Sequence, residues 1–323
     1  MVAIDRRGAL VLAAAAVPRP ELAYALPASL SSQPTAYSSA LALNDGTRLP
    51  LACFGVQIYD DETARARVAT ALEAGFRSFF ASIESGNQVG VARALADSAV
   101  PRGELYIGGS ILSDAAVGYR SAYRETRRGV ERNLENMAVG SSGRIGQLDQ
   151  LLLEYPAAGR DSVVGQWRAL EDAQAAGLVR TIGVSNFSPR QLDFLLADTR
   201  TNVVPALNQL PYSLAFRQPY ATIRDEHLRR GIALQAWSPL GGPSQLISQG
   251  ALRELAAIGA ELQPRRTAYQ VGLRWILQSG VGVSLHSSRL DHLREDLEAL
   301  HFELGPAQMR RLDAIAESVV DLV

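Results

Sequence analysis

The hydrophobic pattern of this chain changes period repeatedly, and each change marks an element. Leu41 to Pro50, with Asn44-Asp45-Gly46 at its centre, predicts a β-hairpin, because those residues supply the positive-φ turn. Leu51 to Val56 follows as a buried strand, and Asp61 to Ala74 has helical periodicity with an acidic first turn. Gly75 to Phe80 reads as a second strand and Asn87 to Asp97 as its helix. Glu104 to Gly109 is a third strand, followed by a long Arg-rich helix over Tyr119 to Met137. Leu148 to Glu154 and Ser162 to Ala176 make the fourth pair. The apolar run Thr181 to Val184 is then broken by Ser185-Asn186, and Ser188-Pro189 opens a helix with a cap followed by proline. Val203 to Leu207, Ile232 to Ala236 and Val281 to Leu285 complete the strands. Helices fall at Tyr220 to Arg230, Thr267 to Gln278 and Arg289 to Leu300, and Pro306 to Ser318 closes the chain.

Eight apolar runs of strand length, each followed by a helix, call for parallel strands with crossover helices. The regular eightfold count favours a closed α/β barrel, a single (β/α)8 TIM barrel, over an open doubly wound sheet. No Gly-x-Gly-x-x-Gly follows the first strand, which also counts against a Rossmann domain.

Composition narrows the function classes. The 323 residues include 47% hydrophobic and 20% charged positions, an ordinary balance for a globular chain. A net charge of −1 gives no electrostatic case for nucleic acid or an anionic membrane. Cys53 is the only cysteine, so neither an internal disulfide nor a multi-cysteine metal site can form. All 32 basic residues are arginine, so no site in this chain can use a lysine ammonium.

Arg6-Arg7, the apolar run Gly8 to Val17 and Ala23-Tyr24-Ala25 predict an export signal over residues 1–25, with paired arginines that suggest the twin-arginine route. The thylakoid lumen and the periplasm are the compartments that fit; without such a signal the chain would be cytoplasmic. The run is too short to span a membrane as a helix. Residues 26–40 read as a linker and 41–323 as the barrel domain.

The stretch Gly177-Leu-Val-Arg-Thr-Ile-Gly-Val-Ser-Asn-Phe187 closely resembles the GxxRxIGVSNF signature of the aldo-keto reductases. The resemblance runs from about Leu41 to Leu312. It implies a (β/α)8 barrel whose N-terminal hairpin plugs the floor, and carbonyl reduction with NADPH. It further implies four catalytic positions: a tyrosine acid, an aspartate and a lysine that tune it, and a histidine that orients substrate. Gly75, Arg77, Gly86 and Asn87 align with the family pattern without a gap. The aspartate position is then Phe80 and the tyrosine position Ser85, while the lysine position falls at Ser110 and the histidine position at Glu154. A serine hydroxyl is a far weaker acid than a phenol of pKa about 10, and general acid catalysis is worth about 10²–10⁴-fold. Tyr155 is expected to pack in the wall and to point away from Glu154, since side chains alternate along a strand end.

The cofactor half is better kept. Ser185, Asn186 and Gln209 stand where the family hydrogen-bonds the nicotinamide carboxamide, and Trp237 replaces the tyrosine that stacks on its ring. Ser238, Leu240 and Gly241 lie in a segment resembling the loop that holds the pyrophosphate. Ser287, His292 and Asp296 fall at the positions that would meet the 2′-phosphate, with Arg289 and Arg294 close by. Asp296 repels phosphate, so the pocket is compatible with either NADP(H) or NAD(H), and no metal is implied.

His227 and His301 are expected to be solvated, as is the helix face carrying Arg124, Arg127, Arg128 and Arg132. The chain is also expected to lack the long C-terminal loop by which many family members choose substrates. The replaced positions lead to the expectation of a barrel without the family's carbonyl reduction, a pseudoenzyme binding nucleotide or a protein complex in an exported compartment. The alternative is an NAD(P)H-dependent oxidoreductase with an altered active site, acting on a small molecule.

Overall fold

The computed structural model describes residues 39–56, 59–215, 220–242 and 245–317. The export signal expected over 1–25 and nearly all of the expected linker lie outside the described residues. Two short strands, β1 (Ala40–Ala42) and β2 (Arg48–Pro50), form the hairpin. The chain continues through β3 (Ala52–Gly55), α1 (Asp61–Ala74), β4 (Ser78–Ala81), α2 (Gln88–Asp97), β5 (Tyr106–Ile111) and α3 (Tyr119–Ser141). Then come β6 (Leu148–Leu153), α4 (Arg160–Ala175), β7 (Val179–Ser185), α5 (Pro189–Leu196), β8 (Leu207–Pro211), α6 (Tyr220–Arg229) and β9 (Ala233–Trp237). A two-residue hairpin, β10 (Gly241–Gly242) and β11 (Gln245–Leu246), precedes α7 (Gln249–Glu261), α8 (Ala268–Gln278), β12 (Gly282–Leu285), α9 (Leu290–Leu297) and α10 (Pro306–Glu317).

Strands β3 to β9 and β12 close into one parallel barrel in sequence order. The predicted architecture and its hairpin are therefore present. The caps form where the sequence places them: Asp60 accepts from the Thr63 amide at 2.6 Å, and Ser188 with Gln191 makes a capping box whose first helical residue is Pro189.

Two expectations on elements are corrected. The strand expected at Val203 to Leu207 begins only at Leu207. Pro205 has no N–H to give a ladder, and Val203 is engaged sideways, its amide on Glu171 Oε1 at 2.7 Å and its carbonyl on Trp167 Nε1 at 2.9 Å. The real strand was hidden because its polar pair, Asn208 and Gln209, is buried. Helix α7 was missed altogether, although Ser248 caps it and Ala251, Leu255, Ile258 and Gly259 bury one face. That spacing is the sequence signal that would have found it.

Two apolar layers result. Between strands and helices lies the larger core, with Trp167, Phe54, Phe76 and Phe79 fully buried. Inside the barrel a smaller cluster joins Cys53, Phe80, Tyr106, Leu152 and Leu207 to Leu43 and Leu49 of the hairpin. The hairpin is thus a plug, tied in by polar contacts as well. Asn44 Nδ2 donates to the carbonyls of Pro205 (3.0 Å) and Gly231 (2.9 Å), and the Thr47 and Thr181 hydroxyls meet at 2.8 Å.

Because Leu49 is fully buried where hairpin and barrel meet, Leu49→Ala should leave a void at the floor and cost about 2–5 kcal/mol. Urea unfolding measures this. A cost below about 1 kcal/mol would mean that the plug contributes little to barrel stability.

Candidate active site

Parallel closure brings all eight strand ends to one opening, and a cleft of about 290 Å³ lies there. It is lined by Phe80, Ser82, Glu84 and Ser85 together with Glu154, Tyr155, Asn186, Gln209 and Trp237. The volume sits near the lower end of the range for small-molecule sites.

The four positions expected to be catalytic do not share one environment. Phe80 is buried and belongs to the barrel interior while lining the base of the cleft. Ser85 lines it too, but its hydroxyl donates to the Val56 carbonyl at 3.2 Å. Ser110 is fully buried and lies behind the wall, accepting from the Ile83 amide at 3.1 Å and donating to Ser82 Oγ at 3.2 Å. Its strand end is fixed from outside the barrel, since Asn133 Nδ2 donates to the Ser110 carbonyl at 2.8 Å and Gln88 Nε2 holds Asn133 Oδ1 at 2.7 Å. Glu154 alone of the four presents an ionisable group to the cleft. Ser82 donates to its Oε2 at 3.1 Å. Burial pushes the Glu154 carboxyl above its ordinary value, with the Ser110 and Ser82 hydroxyls pulling the other way and Glu84 adding a smaller upward push. Tyr155 was expected to point away from Glu154; both line the cleft, Glu154 buried and Tyr155 more than a third exposed at the rim.

Ser82 was not singled out from the sequence. It caps the 3-10 turn Ile83–Ser85, accepting from the Glu84 amide at 3.3 Å. Its signal was a hydroxyl at a turn that opens next to a strand end.

On the cofactor side, Asn186 is the junction. Its backbone takes φ 60°, a left-handed conformation that asparagine tolerates better than most residues. That turn aims its side chain across the opening. Nδ2 donates to the Glu154 carbonyl and to Ser185 Oγ, both at 3.1 Å, while Oδ1 accepts from Trp237 Nε1 at 3.1 Å. The indole is therefore held against the signature turn, half-buried at the cleft wall. Gln209 donates to Gln235 Oε1 at 2.8 Å. Ser185 is buried, gives its hydroxyl to the Gln209 carbonyl at 3.2 Å, and does not line the cleft. Asn186, Gln209 and Trp237 together offer amide groups and an aromatic face, which fits a nicotinamide ring with its carboxamide.

His227 corrects another expectation. It is buried, with Nδ1 on the Ile223 carbonyl at 2.6 Å and Nε2 beside Asn208 Nδ2 at 2.9 Å. The carbonyl requires a proton on Nδ1, so Nε2 accepts, and burial pushes the imidazole's pKa down. Asn208 in turn donates to the Phe187 carbonyl at 2.7 Å. The pair braces the signature turn from behind. His301 and the four helix α3 arginines are exposed, as expected.

The remaining positions lie further out. Ser238 has φ 49°, and the Gly241 amide donates to its carbonyl at 2.9 Å, which makes the turn beside Trp237. Leu240 packs against the helix core, so only its backbone could serve a ligand. Ser287 Oγ accepts from the Arg289 amide at 3.1 Å, and His292 is exposed. Neither nearby arginine stands alone: Arg289 pairs with Asp291, and Arg294 with Glu73 at 3.3 Å. Burial, with Glu295 adding to it, raises the Asp296 carboxyl to about 7.

A pattern describing the Aldo/keto reductase family matches residues 52–317. An aldo-keto reductase of Mycolicibacterium vanbaalenii is 34% identical over 275 residues, spanning 85% of this chain and 91% of that protein. A glyoxal reductase of Bacillus subtilis is 30% identical over 283 residues, spanning 87% and 94%. Among solved structures, an aldo/keto reductase from Brucella melitensis superposes with a TM-score of 0.73 at 27% identity, covering 85% of this chain and 98% of that one. The eight-stranded barrel is thus of the kind these relatives share, and the chain belongs to the aldo/keto reductase family. The expectation of a pseudoenzyme scaffold is overturned. Relatives matched over nearly their whole length carry reductase names. The cleft is open beside Trp237 and Ser85, with Phe80 and Tyr155 on its walls.

Asp296 supplies a pH-dependent test of this region. An acid whose folded pKa is raised binds more protons folded than unfolded, so stability falls as pH rises from about 4 to about 7. Asp296→Asn removes that loss. Its urea midpoint should match the parent's near pH 4 and exceed it at pH 8; equal midpoints at both would mean Asp296 is solvated as an ordinary carboxylate.

Proposed function

We propose that this chain is a nicotinamide-dependent oxidoreductase that reduces the carbonyl group of a small molecule, with NADPH or NADH as donor. The observation that carries the reading is the Asn186 bridge. It ties the Trp237 indole to the backbone of Glu154, so that an aromatic ring, the amide groups of Asn186 and Gln209 and a buried carboxyl line one open cleft. When bound, a reduced nicotinamide would supply a hydride to the carbonyl carbon. Trp237 would present its face to that ring, while Asn186 and Gln209 would exchange internal hydrogen bonds for bonds to its carboxamide.

Small, strongly polarised carbonyls are the substrate class that suits the site, because the family's tyrosine acid is replaced by Ser85 and such acceptors need less help from an acid. The relative named glyoxal reductase supports that choice. For the donor, Arg289 and Arg294 are both engaged by carboxylates, and Asp296 stands where the resemblance puts the 2′-phosphate. NADH should therefore bind at least as tightly as NADPH.

Titration of both nucleotides into the full chain, followed by tryptophan fluorescence, tests the reading. Micromolar quenching with oxidation of the donor by a dicarbonyl is the expected outcome. No quenching by either nucleotide at millimolar concentration, together with no turnover, would refute it. At pH 8, Asp296→Asn should improve NADPH binding more than NADH binding, and an equal change for both would remove Asp296 from the 2′-phosphate site.

A further inference from the structure

We infer that Glu154 is the proton donor of the reaction, with Ser82 and Ser110 as the residues that position it; this rests on the reductase reading above. The reduction needs one proton at the oxygen. Hydride addition at the carbonyl carbon sends the π electron pair to that oxygen, and the Glu154 carboxyl hydrogen completes the alcohol, leaving a carboxylate. Solvent then restores the proton.

Geometry singles out this residue. The acid must reach the same opening as the nicotinamide, and the Glu154 carbonyl is tied to Asn186, which is tied to Trp237. Among the described residues, the groups facing the cleft that could titrate are Glu84, Glu154, Tyr155 and His286. Glu84 is exposed on the 3-10 turn, where water screens it. His286 is exposed as well, and its pKa is lowered by desolvation, so it is mostly unprotonated near neutrality. Tyr155 sits at the rim with its phenol pushed up, chiefly by desolvation and also by Glu84, Glu154 and Asp114, which makes it a still weaker acid. Glu154 is the one buried member, and its carboxyl direction is set by Ser82 Oγ at 3.1 Å, itself backed by Ser110 Oγ at 3.2 Å. Burial favours the protonated form of an acid, so the group holds its proton until the developing alkoxide takes it. Ser82 is only partly buried, which gives the spent carboxylate a route to water.

The serines oppose burial, since a hydroxyl that donates to a carboxylate stabilises the charged form. Removing Ser82 should therefore raise the carboxyl's pKa, and the activity lost on the alkaline side should be lost at higher pH. A residue that merely supports the wall would not move that limb.

The test uses the full chain, a dicarbonyl acceptor and three variants. Glu154→Gln should lower kcat by about 10²–10⁴-fold, with the dissociation constants of both nucleotides changed less than about twofold. Ser82→Ala should lower kcat less than Glu154→Gln does and shift the alkaline limb of kcat/KM upward in pH. Infrared difference spectra of the protein without nucleotide give a readout independent of turnover: a protonated carboxyl band near neutral pH, absent from Glu154→Gln. Wild-type rates in Glu154→Gln, an unmoved limb in Ser82→Ala, or no protonated carboxyl assignable to Glu154 would each overturn the inference while leaving the reductase reading intact. Loss of turnover in Tyr155→Phe with Glu154→Gln still active would move the role to Tyr155. A wild-type chain that binds no nucleotide and turns over no carbonyl would remove the reading and the inference together.

Discussion

Pairing of β12 with both β9 and β3 closes the sheet, and everything else in this molecule depends on that closure. With no edge strand, every barrel strand has two hydrogen-bonded neighbours, and both of its faces must be filled. That is why β5 and β6 are buried at every position, including the polar Ser110, Asp149 and Gln150. The open end at the floor is sealed by the hairpin, whose Leu49 and Asn44 join the interior cluster and the strand-start carbonyls. The other end is left for chemistry.

At that end the site is held by side-chain hydrogen bonds. One asparagine in a left-handed conformation links the tryptophan on β9 to the strand end that carries Glu154. Behind it, Asn208 and the neutral His227 hold the turn in place. Low dielectric makes such contacts strong when satisfied and costly when broken. It also makes a carboxyl placed among them a better proton holder than the same group in water. The opening therefore holds a buried carboxyl, Glu154, at the end of β6.

Much of this was legible in the residues. Period changes located nearly every strand and helix, because barrel strands and amphipathic helices differ so plainly in spacing. The signature at Gly177 to Phe187 and the alignment around Arg77 and Asn87 pointed to strand ends, and Asn186, Phe80, Ser85 and Glu154 from them line the cleft. What misled was polarity. Asn208 and Gln209 lie past the strand expected at Val203 to Leu207 and are strand; His227 reads as solvated and is buried. Asn208 meets His227 19 residues away and Gln209 meets Gln235 26 residues away, where no local pattern can reveal the partner.

Replacement of four catalytic positions also suggested a barrel without chemistry, since a list of residues lost says nothing of what stands in their place. The sequence by itself determined the barrel, its plug, the absence of lysine and the identity of each residue at the strand ends. Those follow from spacing and composition, which are local. Only the tertiary structure decided that Ser110 lies behind the wall while Ser82 and Glu154 face the cleft. It alone decided which arginines are occupied by carboxylates and how far burial raises Asp296. Desolvation and hydrogen-bond direction depend on all the atoms around a group, and those atoms arrive from strands far apart in the chain.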